Sequence, residues 1–175
     1  MPSPARPPVT PAEVKPVIAV VHSGFSLSND QLEELARQER ETARRKQIGL
    51  PLAQDLYRTM LNTRISPAMR LLGFKGSGGR YDAPSSTRWS IVDLQRSAYS
   101  DAFKIQFTAN LRSAERANFQ KRPTGGGYGE RIGFLTPHKR DYWWTLSVES
   151  DLDEVADDFI SAVSDFGMKW MLAQP

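Results

Sequence analysis

Ala102-Phe103-Lys104-Ile105-Gln106-Phe107-Thr108-Ala109-Asn110-Leu111 decides the fold class. Phe103, Ile105, Phe107, Ala109 and Leu111 fall on one side of an extended chain; Lys104, Gln106, Thr108 and Asn110 fall on the other. Successive side chains of a strand point to opposite faces, so this alternation predicts a half-buried strand with a polar outer face. A sheet wetted on one side is characteristic of antiparallel pairing. Upstream, residues 80–83 and 88–96 read as strands around the turn Pro84-Ser85-Ser86, after a glycine turn at 76–79. Downstream, 114–127 reads as a long loop. Residues 128–135 and 142–148 then read as a hairpin across 136–141.

Helices are expected on either side of this sheet. Ser28 and Gln31 have capping-box spacing, with Leu27 and Leu32 at the staple positions. The helix that follows, to Gln47, is highly charged, with Glu33–Arg37 and Glu41–Arg45 at i,i+4 and only Leu32, Leu35, Ala36 and Ala43 apolar. It reads as a solvated helix on the surface or projecting from it, with a partner-binding arm as its alternative role. Gly49 ends it and Pro51 opens a second helix, whose stripe is Leu52, Leu56, Met60, Leu61 and Ile65. Pro67 should break or kink that helix, and a short helix through Met69 to a stop at Gly73 follows. Ser150, with Asp153, is expected to cap a last helix striped by Leu152, Val155, Ala156, Phe159, Ile160, Val163 and Phe166. Gly167 should end it, leaving Trp170, Met171 and Leu172 to pack back.

The expectation is an α+β fold, an antiparallel β-sheet of about 4–5 strands packed against N-terminal and C-terminal helices. Residues 1–27 read as a Pro-rich leader, largely disordered, with Val17 to Val21 a candidate short strand. Residues 28–48 form the charged helix and 49–175 a single domain.

The absence of cysteine excludes disulfides, thiolate nucleophiles and cysteine-based metal sites, and fits a reducing, cytoplasmic setting. No stretch approaches the roughly 18 apolar residues of a membrane helix, so no membrane partner is expected. Charge is uneven. Residues 1–150 hold twenty-two bases and fourteen acids, whereas 151–175 hold one base and six acids. Such separation suits an acidic partner on one side, or ordinary helix and strand surface.

Catalytic chemistry is poorly provided for, and no catalytic residue is assigned. His22 lies near the leader and His138 in a turn, neither beside a nucleophile. No metal site and no cofactor is expected. The acids 151–158 read as a solvated helix face. Asp82 and Asp93, with Gln95 beyond, faintly resemble a Mg²⁺-holding nuclease pair, but Arg96 stands where a lysine would be needed. Gly125-Gly126-Gly127-Tyr128-Gly129 lacks the helix start and the GK[ST] of a phosphate loop. The better material is surface recognition. Arg88, Gln95, Arg96, Tyr99, Arg131, Tyr142, Trp143 and Trp144 lie on or beside the sheet, and arginine and aromatic side chains dominate binding hot spots. Neighbouring tryptophans on a strand face opposite ways, so Trp143 and Trp144 cannot both enter one core unless the chain is buried on both sides. The bland alternative is Trp in the core and Arg131 paired with Asp93 or Glu130.

Several stretches, taken in order, resemble the DUF4304 family, small bacterial domains of unknown function. They are Leu56-Tyr57, Ile65-Ser66-Pro67, Leu71-Leu72-Gly73-Phe74, Val92-Asp93-Leu94-Gln95-Arg96-Ser97 with Tyr99, residues 107–111, Arg131-Ile132-Gly133-Phe134-Leu135 and Trp143-Trp144. The similarity covers about residues 50–172, supports the α+β reading and transfers no catalytic residue. The expected function is a non-enzymatic interaction domain that binds a protein partner, of a toxin-neutralising or defence-associated kind. A nucleic-acid-binding module on a basic and aromatic sheet surface is the alternative, and a metal-dependent nuclease-like enzyme the third reading.

Overall fold

The computed structural model describes residues 27–118 and 120–175; the candidate strand at Val17 to Val21 lies outside them. Among the described residues six α-helices and six strands follow one another: α1 (Asn29–Gln47), α2 (Ala53–Met60), α3 (Ser66–Leu71), β1 (Lys75–Ser77), β2 (Arg80–Pro84), β3 (Arg88–Arg96), β4 (Lys104–Glu115), β5 (Tyr128–Arg131), α4 (Ile132–Leu135), β6 (Trp144–Ser147), α5 (Leu152–Ala162) and α6 (Met168–Ala173). The fold is the expected α+β type. Its antiparallel sheet runs β1-β2-β3-β4-β5, with β6 also paired to β4.

The centre of the sheet is the strand that alternates most cleanly. β4 pairs with β3 from Phe107↔Arg96 to Glu115↔Arg88. On its other side it carries two partners end to end: β5 opposite Asn110 to Ser113 and β6 opposite Lys104 to Phe107. Residues 128–135 and 142–148 therefore do not form a hairpin with each other. β5 stops at Arg131 and Ile132–Leu135 turns into α4, whose Ile132 and Gly133 are buried. A short apolar run satisfies strand and helix alike, so the sequence pattern could not separate them. β4 itself reaches Glu115, shortening the loop expected from 114.

One face of the sheet packs on helices. Tyr81, Val92, Ile105, Phe107, Ala109, Leu111, Trp144 and Leu146 meet Tyr57, Met60 and Ile65 from the N-terminal helices and Phe159, Val163 and Met171 from the C-terminal ones. Phe107 is the hub. Its ring lies 5.4 Å from Tyr57, 5.7 Å from Phe159 and 5.9 Å from Trp144, within the range where aromatic pairs attract beyond simple burial.

Pro67 does not break its helix. A π turn at Leu61–Ile65 precedes it, and Ile65 and Ser66 keep helical dihedrals into α3, so the helix continues past a residue that has no N–H to donate. A second π turn, Val163–Gly167, joins α5 to α6, so Gly167 lies within a continuing helix. Of the residues expected to pack back, Met171 is buried and Leu172 exposed. The cap of α5 is Asp151, which accepts from the Asp153 and Glu154 amides, while Ser150 instead hydrogen-bonds Ser147. At α1 the capping box is as expected: Gln31 Oε1 accepts from the Ser28 amide and Ser28 Oγ from that of Gln31. Its ion pairs are Glu34–Arg37, Glu41–Arg44 and Glu41–Arg45.

Candidate functional site

The two tryptophans part, although β6 begins only at Trp144. Trp144 is in the core, edge-on to Phe159 at 5.2 Å, and its Nε1 donates to the Asp158 carboxylate on α5 at 2.7 Å. That bond ties β6 to α5. Trp143 turns to the other side, where the Arg131 guanidinium lies 5.3 Å above its ring. Arg131 pairs with Asp141 and donates to Gln95 at 3.3 Å, and Asn110 donates to the same Gln95 oxygen. The arginine expected to pair with Asp93 or Glu130 thus pairs with Asp141, although its own amide does bond the Glu130 carboxylate. The hydrogen bond from Arg131, aided by one from Trp143, holds the Asp141 carboxyl below its ordinary value.

Further along this outer face, Asp82 and Asp93 stand on adjacent strands, as the faint nuclease reading requires. Arg122 reaches in from the loop after β4, 2.6 Å from Asp93 and 3.7 Å from Asp82. The same loop is held by Arg112, which donates to the Pro123 carbonyl. A guanidinium thus occupies the position between the carboxylates, and among the described residues no three His, Cys, Asp or Glu side chains gather to hold a metal. Trp89, Ile91 and Ala114 are buried on this side, with Arg116 above the Trp89 ring.

The edge of β6 is a different environment. Among the described residues β6 pairs with β4 alone, so no strand covers its outer edge, although Ser150 Oγ accepts from the Ser147 amide there. Between that edge and α5 runs an open groove of about 760 Å³. Tyr142, Trp143, Trp144 and Thr145 form one wall; Asp151, Glu154, Asp157 and Asp158 line the other, and no lysine or arginine lines it. His138, in its exposed turn, stacks flat on Tyr142 at 3.8 Å and braces that wall. Asp157 is engaged from outside by Arg64, which also pairs with Asp153.

The residues singled out from sequence are therefore divided. Gln95, Arg131 and Trp143 meet on the outer face, and Tyr142, Trp143 and Trp144 line the groove. Arg88 and Arg96 project to the helix-bearing face, where Arg88 bonds Ser113 and Arg96 bonds Gln54. Tyr99 stands in the turn after β3, 86% exposed. Sequence reasoning missed Asp141 and Arg122. The carboxylates of α5 are exposed, as the expected solvated face requires, and four of them also line the groove.

No helix among the described residues is long and apolar enough to cross a membrane. No curated protein and no solved structure matches the chain. A family model described as a domain of unknown function matches residues 65–173, from the end of the first π turn through α6, and the chain belongs to this family, DUF4304.

Proposed function

We propose that the chain is a protein-binding module whose groove between β6 and α5 receives an extended, basic segment of another protein. One observation carries this reading: an open strand edge borders a groove lined by four carboxylates and no cation. An unpaired edge offers backbone N–H and C=O groups to an added strand, and adjacent pockets select side chains. Tyr142 and Trp143 supply the aromatic wall that such interfaces favour. Glu154 has no partner among the described residues and is the carboxylate freest to meet an incoming lysine or arginine. The nucleic-acid reading has weaker support, because Arg112, Arg122 and Arg131 on the sheet already face carboxylates.

The test is selection of random peptides on the full chain, followed by titration of an enriched peptide. The expected peptides alternate basic and apolar residues. Glu154→Lys should weaken them about tenfold, since a like charge now opposes the ligand, while a remote control, Leu71→Ser, binds normally. Enriched peptides without bases, or equal binding by Glu154→Lys, would count against the proposal.

A further inference from the structure

α1 is amphipathic the wrong way round. Its least exposed positions are Glu34, Gln38, Glu41, Thr42 and Arg45, all polar and all on one face by their spacing. Glu34, Gln38 and Glu41 border a groove against Asp101, Phe103 and Lys104, so this polar face is the one turned to the body of the fold. Leu32 and Leu35 are 50% and 46% exposed, Ala36 and Ala43 are exposed with them, and α1 buries no residue at all among the described chain. A surface helix normally turns its apolar stripe inward. Here Leu32 and Ala36 point away, while Leu35 and Ala43 stand at the edges of the stripe, where they border a crevice shared with Ala102.

We propose that this stripe is covered by α1 of a second copy of the chain, packed antiparallel. Charge decides the occupant and its direction. Residues 29–38 carry three acids and one base; residues 39–47 carry two acids and four bases. Antiparallel packing lays each acidic half on a basic half, whereas parallel packing lays like on like. A two-fold axis between Glu39 and Arg40 sets Glu39 against Arg40 of the partner subunit. It also sets Ala36 against Ala43 of the partner subunit, where small side chains let the helices approach closely. At 19 residues α1 is about 28 Å long.

The chain has no cysteine, so disulfide trapping is free of background. Ala36→Cys and Ala43→Cys chains, carrying different tags, are oxidised separately and mixed. The expected result is a linked dimer in the mixture and little in either variant alone, because identical positions lie seven residues, or about 10 Å, apart along the axis. Linking of each variant alone overturns the antiparallel arrangement, and no linking in any tube overturns the dimer. In sedimentation, the Leu32→Glu/Leu35→Glu chain should stay monomeric at concentrations where the unmodified chain self-associates. Equal self-association would overturn the role of the stripe. The urea midpoint of the double variant should match the parent's, since neither leucine is buried, which separates lost pairing from lost folding.

Discussion

The bond from Trp144 Nε1 to Asp158 is the one side-chain hydrogen bond between the two walls of the groove, among the described residues, and its energy can be isolated. A hydrogen bond to a charged acceptor contributes about 1.5–3 kcal/mol. Asp158 is exposed and can be rehydrated when the indole is removed, so the lower half of that range applies. Trp144→Phe keeps a ring against Phe107 and Phe159 but loses the bond and part of a buried indole, for a total of about 3 kcal/mol. Asp158→Ala leaves a buried N–H without its acceptor and costs about 1–3 kcal/mol. Once the indole is gone, removing the carboxylate should cost little. A double-mutant cycle by urea unfolding, followed by far-ultraviolet circular dichroism, should therefore give a coupling of about 1–2 kcal/mol. Additivity to within about 0.5 kcal/mol, the behaviour of independent sites, would refute the claim that this bond joins β6 to α5.

Two further substitutions probe the frame around the groove. A Cβ at Gly133 would lie 2.5 Å from both the Arg140 carbonyl oxygen and the Tyr142 amide nitrogen, so Gly133→Ala should destabilise by about 1–3 kcal/mol and displace the Tyr142 wall. An unchanged thermal midpoint would show that this approach is looser than described. Burial pushes the Tyr57 phenol up to about 12, with Arg96 opposing. The unfolded phenol titrates near 10, so the unfolded chain loses its proton first, and stability present below about pH 10 falls as pH rises toward 12, by up to about 2.7 kcal/mol. Tyr57→Phe should flatten that fall relative to the parent; an identical slope would mean that Tyr57 is hydrated.

What could be read in advance follows from how local each signal is. The two-residue period of β4 was legible because one element carries the whole pattern, the stripes through α2 and α5 because the helix continues into the π turn after each, and the Ser28–Gln31 cap because it is local. The opposite facing of Trp143 and Trp144 was read from strand geometry, although β6 begins only at Trp144. Residues 132–135 were misread because Ile132-Gly133-Phe134-Leu135 is too short for its period to show. The decisive constraint is Gly133 against Arg140 and Tyr142, a contact made only in the folded chain. Pro67 was expected to break or kink a helix, and a π turn stands directly before it in a helix that continues. Asp158 and Arg122 reach their partners across 14 and 29 residues, and no local pattern announces such pairs.

The uneven charge of the chain becomes intelligible when the two sides of β6 are compared. On the outer sheet face each acid has an arginine: Arg122 stands at Asp82 and Asp93, Arg112 adds a longer contact to Asp93, and Arg131 closes on Asp141. Lys75, Arg80 and Lys104 stand on the same face, so it keeps a basic excess once its acids are paired. Along α5 the ratio differs. Asp151, Glu154, Asp157 and Asp158 line one groove, while Arg64 is the sole basic side chain paired with α5 among the described residues, and it takes Asp153 and Asp157 together. Charges beside a low-dielectric aromatic wall are screened less than isolated surface charges. Negative charge therefore gathers along α5 beside β6, and this is what supports a cationic ligand for the proposed groove although the whole chain is basic.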